Sequence, residues 1–186
     1  MSEVPGSASI DWRQVGESLT KLHSHTGNSY GWAEDYAFGT SPIINSWTKT
    51  WPDFWAEHRL RVFLPHVPSG IAHRLAILAD DLLNRLPQSP KSSLLHGDLW
   101  TGNIMAGNGR VTLIDPACYY GHGEVDIAML HLFGQPAQTF YDSYSLEPDW
   151  RERQAIYTLW PALVHFRLFG SGYLGMVERL LAASMV

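Results

Sequence analysis

Residues 96–128 have the sequence HGDLWTGNIMAGNGRVTLIDPACYYGHGEVDIA, and they carry the strongest structural signal in the chain. Two short apolar runs, 104–106 and 111–114, flank an Asn-Gly pair at 108–109. Asn-Gly between apolar segments is the strongest short-range indication of a β-hairpin. Because a hairpin brings its two ends together, we expect the residues just before and just after it to be neighbours in space.

Polar side chains flank this predicted hairpin. Asp98 and Asn103 precede it, and Asp115 follows it. Phosphoryl transfer needs a carboxylate that accepts the proton of the acceptor hydroxyl and hard oxygen ligands that hold Mg²⁺ against the nucleotide phosphates. The protein-kinase catalytic loop has the form His-Arg-Asp-x-x-x-x-Asn, with a metal-binding Asp further on. The segment from His96 to Asn103 keeps this spacing, with Gly97 at the position of the Arg.

The likeness extends beyond this spacing. HGDLWTGN at 96–103, DPACYYGH at 115–122 and GHGEVDIA at 121–128 together resemble the signature of the fructosamine (ketosamine) kinase family. The resemblance covers most of residues 11–180. It also includes these outlying segments: Tyr30-Gly31-Trp32, Asn45-Ser46-Trp47 and Phe169-Gly170-Ser171-Gly172-Tyr173.

This resemblance implies an ATP-dependent kinase that phosphorylates the 3-hydroxyl of a ketosamine such as fructosyl-lysine or ribulosyl-lysine. The unstable product releases the amine, so the implied role is deglycation repair. Asp98 would be the catalytic base, and Asn103 and Asp115 would bind Mg²⁺ and, through it, ATP. His96 would brace the loop. Trp100 would contact the sugar.

One further role follows from the same likeness: Asp126 would accept hydrogen bonds from backbone amides of the catalytic loop. His122 lies in the signature too, and either a place near the substrate or a local structural role fits it.

Kinases of this fold also have an N-terminal lobe with a glycine-rich loop over the phosphates and a lysine on a strand. Nothing before Asp11 resembles these parts, and the three lysines (Lys21, Lys49 and Lys91) lie in helical or loop contexts. We therefore expect an α+β, mainly helical domain over residues 10–186. It would correspond to the C-terminal lobe of a protein-kinase-like fold, with a hairpin after the catalytic loop, an absent N-terminal lobe and a disordered segment at 1–9.

Such a lobe alone is expected to be inactive as a kinase, which leaves two alternatives open. A lone C-terminal lobe could bind a sugar or a partner without catalysis. A related small-molecule kinase of the aminoglycoside or choline type would share the H-x-D and I-D elements. The intact set of Asp98, Asn103 and Asp115 favours the enzyme.

Composition and charge limit the classes of binding partner that we expect for this chain. The formal charge is −5, and no basic stripe stands out, so a nucleic-acid partner is not expected. No uncharged apolar run approaches the roughly 18 residues of a membrane span, so no membrane partner is expected. Cys118 is the only cysteine, which fits a reducing cytoplasm. Self-association through the surface that an N-terminal lobe would cover is a further expectation.

Several other patterns predict structure rather than chemistry. The nine histidines form no H-E-x-x-H motif or Cys/His cluster, so no structural zinc is expected. The segment 170–175 spells G-x-G-x-x-G, but it follows a helical pattern rather than a strand, which indicates a turn between helices. The remaining tryptophans singled out are expected to be core residues: Trp47, Trp51, Trp55, Trp150 and Trp160.

Periodicity predicts the other elements. Asp11 is a candidate N-cap for a first helix, and Thr50 is a candidate N-cap for a helix from 51 to about 64. A further helix is expected at about 70–86, and helices with breaks near 134–136 and 147–148 from 123 onward. Residues 26–50 lack a helical period and are predicted to form a long structured loop.

Overall fold

The computed structural model describes residues 9–186, so the predicted disordered segment 1–9 lies outside the described residues except for Ser9. Within the described part the fold is α+β, and about half of the residues are helical. None of its helices is long and apolar enough to cross a bilayer. The helices and strands are α1 (Trp12–His23), β1 (Tyr36–Phe38), β2 (Ser41–Ile43), α2 (Trp51–Trp55), α3 (Ser69–Arg85), β3 (Ser92–Leu94), β4 (Ile104–Gly107), β5 (Arg110–Leu113), β6 (Tyr120–His122), α4 (Glu124–Leu130), α5 (Gln138–Tyr141), α6 (Trp150–Phe169) and α7 (Leu174–Ala183).

The predicted hairpin at 104–114 is confirmed. Strands β4 and β5 pair antiparallel, with Ile104 opposite Leu113. Asn108 and Gly109 have φ angles of 50° and 71°, which a two-residue turn of type I′ requires at both central positions. The turn chemistry therefore sets the register, and the register brings the two ends of the hairpin side by side.

The expectation of one hairpin was incomplete, because the described residues contain three two-stranded antiparallel sheets. β1 and β2 form a small hairpin inside the predicted loop 26–50. β3 pairs with β6, which lies beyond the β4–β5 hairpin in the chain. Each of these four strands has three residues, too few for a period-two pattern to stand out. The β3–β6 pairing also joins distant segments, which a local pattern does not reveal.

The helix expected from 51 to about 64 is helical but not α-helical throughout. α2 starts after Thr50, whose hydroxyl accepts a hydrogen bond from the amide of Asp53 as an N-cap. The chain then passes through a π-helical turn at Ala56–Leu60 and a 3₁₀ segment at Arg61–His66. Pro65 lies inside the 3₁₀ segment and has no N–H to give to an α-helical bond, which accounts for the tighter ending.

The other predicted helices are confirmed, and they enclose the core. Asp11 caps α1 by accepting hydrogen bonds from the amides of Arg13 and Gln14. α3 and the helices after 123 have the expected positions, with breaks between α4 and α5 and before α6. α6 is largely buried and packs against α4 and α7.

Four of the five tryptophans that were expected in the core are buried there, and one is not. The four expected core tryptophans other than Trp47 are buried. Trp47 is 51% exposed, so its assignment to the core was wrong. Its ring instead stacks on Tyr120 at the surface, with the ring centroids 6.3 Å apart. An aromatic side chain in a loop has no periodicity from which burial could be predicted.

Candidate active site

The predicted catalytic loop, residues 96–103, lies between β3 and β4. Backbone hydrogen bonds fix it against the segment after the hairpin. The amide of Leu95 donates to the carbonyl of Tyr119 at 2.9 Å, and the amide of Ala117 donates to the carbonyl of His96 at 2.8 Å. These bonds extend the β3–β6 pairing, so the sheet missed in the sequence holds the loop in place.

The hairpin brings the segments of Asn103 and Asp115 together. The amide of Ile114 donates to the carbonyl of Asn103 at 3.0 Å, just beyond the last strand pair. Asp115 follows directly, exposed to solvent and in the left-handed region with φ 52°. Asp tolerates this conformation better than most residues with a side chain. Asp115 therefore lies at the loop edge where the sequence placed it.

Asp98 and Asn103 are joined by direct hydrogen bonds. The side-chain Nδ2 of Asn103 donates to the backbone carbonyl of Asp98 at 2.8 Å and to its carboxylate Oδ2 at 3.0 Å. Asn103 is buried, with 7% of its surface exposed, so its position is fixed. Both bonds use the amide nitrogen, and the carbonyl oxygen Oδ1, the atom that could bind a metal ion, takes no part in them.

Burial raises the pKa of the Asp98 carboxyl, because the charged form loses part of its hydration. The hydrogen bond from Asn103 offsets part of this effect, and the nearby imidazoles of His96 and His165 act in the same direction when they are charged. A half-buried carboxylate with a raised pKa is a better proton acceptor than a fully hydrated one. This property suits a general base.

His96 connects the loop to the far end of the hairpin. Its Nε2 lies 3.0 Å from the carbonyl oxygen of Ile114, and the amide of Asp98 donates to its Nδ1 at 3.3 Å. A neutral imidazole with its proton on Nε2 satisfies both bonds. The ring, 2% exposed, therefore links the backbone of the residue before Asp115 to the backbone of Asp98.

Asp126, at the start of α4, fixes the catalytic loop through hydrogen bonds to its backbone amides. It is fully buried, and its two carboxylate oxygens accept from the amides of His96 at 2.7 Å and Gly97 at 2.9 Å. A third partner is the Nε2 of His23 on α1, at 3.0 Å. Burial alone would raise the pKa of Asp126, but the bond and charge of His23 and the loop amide keep that pKa below its ordinary value.

Gly97 explains why this loop differs from the His-Arg-Asp form. Its φ angle is 79°, and an added Cβ would lie 2.0 Å from the carbonyl oxygen of Ala117. Any side chain here would break the close approach of the two segments. The glycine is thus a steric requirement of this loop.

We expect Gly97→Ala to destabilise the protein by about 2 kcal/mol or more. A left-handed backbone costs Ala roughly 1–2 kcal/mol, and the clash with the Ala117 carbonyl adds to it. Thermal unfolding measures the effect. Gly107→Ala is the matched control, because nothing lies within 4 Å of a Cβ at Gly107. Equal melting temperatures for the two variants would contradict the geometry of this loop.

An aromatic cavity of about 220 Å³ adjoins Asp98. Trp100 forms one wall, 40% exposed, with its ring edge-to-face with Phe133 at a centroid distance of 6.3 Å. A Cβ on Gly102 would lie 2.2 Å from the Trp100 ring, so that glycine lets the indole fold back over the loop. The remaining lining residues are mostly apolar: Phe38, Met129, Trp160, Pro161, Val164, His165, Leu168 and Phe169.

Sequence reasoning missed His165 and Phe133 as members of this cavity. His165 lies on α6, where its Nδ1 donates to the carbonyl of Pro161 at 2.7 Å and its ring contacts Phe133. One signal was available, since His165 and Arg167 are the two polar side chains in the otherwise apolar helical run 159–169. The proximity of His165 to Asp98 depends on how α6 packs, which no local pattern contains.

Two other candidates lie away from this site. The 170–175 segment forms a turn between α6 and α7, with Gly170 at φ 81° and a 3₁₀ turn at Ser171–Tyr173, as predicted. His122 does not line the Asp98 cavity; it lines a different one.

A loop that presents an Asp and an Asn five residues apart, held by a buried Asp and followed by a hairpin and a second Asp, defines the class of kinase-like phosphotransferases. Comparison with known proteins gives the family. The sequence model of the fructosamine kinase family matches residues 4–185. The chain belongs to the fructosamine kinase family.

Curated relatives agree with this assignment. The chain is 38% identical to a probable ketoamine kinase of Synechocystis over 91% of its length, and 36% identical to the probable ketoamine kinase YniA of Escherichia coli K12 over 91%. It is 34% identical to the chloroplastic protein-ribulosamine 3-kinase of Oryza sativa subsp. japonica over 90%. The chain spans 61%, 63% and 53% of the length of these relatives, respectively.

Solved structures show the same fold. A Thermobifida fusca protein described as a fructosamine-3-kinase superposes with a TM-score of 0.88 at 30% identity, over 100% of this chain and 67% of its own. The amicoumacin kinase hAmiN, solved with AMP-PNP and Ca²⁺, superposes with a TM-score of 0.59 at 16% identity, over 97% of this chain and 62% of its own. The second likeness concerns the fold alone.

Proposed function

We propose that this chain forms the acceptor- and metal-binding lobe of a kinase that transfers phosphate from ATP to a sugar hydroxyl of a ketosamine. Fructosyl-lysine and ribulosyl-lysine are the substrates of this class, and deglycation repair is the role. The observation that carries the proposal is the Asp98 carboxylate, fixed by Asn103 and lining an aromatic cavity. The similarity to a probable ketoamine kinase and to a protein-ribulosamine 3-kinase supports it.

Asp98 is the base in this proposal. As the sugar oxygen attacks the γ-phosphorus of ATP, its O–H bond breaks and the proton passes to the carboxylate. The bond between the γ-phosphorus and the bridging oxygen breaks at the same time, and ADP leaves. The raised pKa of Asp98 favours this transfer. His96 and Asp126 are positioning residues, because they hold the backbone amides of residues 96–98, which lead into the base.

Asn103 and Asp115 offer the donor set that Mg²⁺ prefers, an amide oxygen and a carboxylate. The Oδ1 of Asn103 is outside both hydrogen bonds with Asp98, and Asp115 is exposed at the loop edge. These residues therefore fit the ion. Bound there, Mg²⁺ would neutralise charge on the phosphates of ATP.

The proposal places this chain in the C-terminal lobe. Within residues 9–186 no glycine-rich strand pair lies over the Asp98 cavity, and no lysine lines it. Positioning and electrostatic stabilisation supply nearly all of phosphoryl-transfer catalysis. We infer that the donor clamp comes from a separate N-terminal lobe and that the 186 residues alone turn over slowly.

We expect Trp100→Ala to raise the KM for a ketosamine by roughly ten-fold, the equivalent of about 1.4 kcal/mol, and to leave the KM for ATP unchanged. The reason is that a sugar packs its C–H face against the exposed indole. Steady-state kinetics with each substrate varied in turn measure both values. Trp47→Ala is the matched control, since Trp47 is also an exposed tryptophan but does not line the cavity. A selective rise in the KM for ATP would instead place Trp100 on the nucleotide side.

Two other functions are distinguished by the same assays. A sugar-binding lobe without catalysis would bind the ketosamine yet transfer no phosphate when the N-terminal lobe is present. A kinase of the aminoglycoside or choline type would phosphorylate those acceptors and not fructosyl-lysine. We also propose a cytoplasmic location for the protein. A further proposal is that the chain self-associates through the surface that an N-terminal lobe would cover. Sedimentation of the 186-residue chain, with and without an N-terminal lobe, tests this self-association.

A further inference from the structure

Beyond Trp100, the Asp98 cavity has further aromatic walls that are open to solvent. The exposed fraction rises from 40% at Trp100 to 48% at Phe133 and 65% at Phe169. The ring of His165 contacts both phenylalanines, with centroid distances of 5.1 Å to Phe133 and 5.6 Å to Phe169. We call the rings of Trp100, Phe133, His165 and Phe169 the aromatic cup. Large apolar side chains left exposed side by side next to a cavity indicate a binding surface.

The aromatic cup lies on the acceptor side of Asp98. Asn103 and Asp115, the proposed Mg²⁺ ligands, do not line the Asp98 cavity, so the phosphates of ATP are expected on another side of the base. An acceptor whose 3-hydroxyl reaches Asp98 therefore has its remaining atoms in the cavity. In a ketosamine the amine nitrogen is bound to C1, two carbons along from the carbon that carries this hydroxyl. The nitrogen and its substituent are thus close to the cup, a placement that rests on the proposed function.

The charges around the aromatic cup suit a cation. Of the described residues that line the cavity, none is a lysine or an arginine, and Asp98 is the one carboxylate. Leu168 and Phe169 belong to the last turn of α6, where the helix dipole is negative. Arg167 lies in the same turn but does not line the cavity. Because Asp98 has to take the proton of the hydroxyl, other groups must face a charged amine.

We propose that the aromatic cup binds the protonated secondary amine of the ketosamine through cation–π contacts, with Phe133 and Phe169 as specificity-determining residues. The face of an aromatic ring attracts a cation that lies within about 6 Å of the ring centroid. Trp100, two residues from Asp98, contacts the sugar, and the two phenylalanines contact the amine. A free sugar has no charge at this position, so the cup selects the glycated amine over the free sugar.

The experiment measures binding to the 186-residue protein without ATP, so that it is independent of phosphate transfer. Calorimetric titration compares two probes that differ in one group. The first is the ketosamine of fructose with a benzyl group on nitrogen, and the second is the benzyl ether in which oxygen replaces the charged amine. The wild type is expected to bind the amine roughly ten-fold more tightly than the ether, because two rings and Asp98 attract the charge.

Phe133→Leu and Phe169→Leu are the decisive variants. Each removes a ring face but keeps an apolar side chain, and both positions are exposed, so the core is spared. Each is expected to lower the ratio of amine affinity to ether affinity by roughly two- to five-fold. Loss of apolar contact alone would weaken both probes equally and leave this ratio unchanged. Phe133→Tyr is the matched control, because it retains the aromatic face and should keep the wild-type ratio.

Two results would overturn the proposal. One is a wild-type protein that does not bind the amine in preference to the ether, including a protein that binds neither probe. The other is a wild-type affinity ratio in both leucine variants. The kinase proposal fails separately, because preferential binding of the amine without phosphate transfer by the two-lobed protein would retain the aromatic cup and remove the enzyme.

Discussion

Replacing Asp98 with Asn is expected to lower turnover by roughly 10²–10⁴, the usual contribution of a positioned general base. The amide occupies the same volume and still accepts a hydrogen bond from Asn103, so folding and nucleotide binding should change little. The N-terminal lobe must be present, because the proposal assigns the donor clamp to it. ADP release with fructosyl-lysine as acceptor measures the loss.

Asp149→Asn is the matched control for this variant. Asp149 is an exposed aspartate with φ 62°, a conformation that Asn also tolerates. It lies outside the Asp98 cavity, so turnover should remain at the wild-type value. Near-normal turnover of Asp98→Asn would contradict the assignment of Asp98 as the general base.

The raised pKa of Asp98 also predicts how activity depends on pH. The base must be ionised to accept a proton, and burial raises its pKa. Activity should therefore fall on the acid side at a higher pH than the value of about 3.9 for an ordinary aspartate. This acid limb of kcat/KM should be lost in Asp98→Asn.

Replacing Asp115 with Asn is expected to lower metal-dependent turnover by roughly 10³ or more, because a bound metal supplies several kcal/mol of charge stabilisation. Affinity for Mg-ATP should fall more than affinity for free ATP. Asn is the chosen replacement because Asp115 has φ 52°, where Ala would add backbone strain. Calorimetric titration with ATP, with and without Mg²⁺, measures the difference.

The outcome that contradicts this role is an equal loss of affinity for Mg-ATP and free ATP. Asp115 would then be only a turn residue. The Asp149→Asn control applies here too, since it removes one carboxylate from an exposed left-handed position outside the site.

Local chemistry explains why much of the fold was predictable. The Asn108-Gly109 turn, the Asp11 cap and the helix α3 each depend on residues a few positions apart. The hairpin then placed Asp115 beside Asn103 without further information. The likeness to a family signature added the loop-holding position of Asp126, which α4 brings beneath the loop amides.

Long-range packing explains what the sequence did not reveal. The β3–β6 pairing joins segments on either side of the hairpin, and three-residue strands carry no readable period. His165 reaches the Asp98 cavity only because α6 packs against α4. The aromatic cup likewise combines the catalytic loop, the segment after α4 and the end of α6. Each of these features follows from contacts between elements rather than from spacing.

The most direct test of the kinase proposal is ³¹P NMR of the reaction of ATP, Mg²⁺ and fructosyl-lysine. It compares the 186-residue chain with the same chain preceded by an N-terminal lobe that binds nucleotide. The account predicts a new sugar-phosphate resonance with the two-lobed protein, its loss in Asp98→Asn, and little transfer by the chain alone. Absence of that resonance in a two-lobed protein that binds both Mg-ATP and the ketosamine would contradict the account.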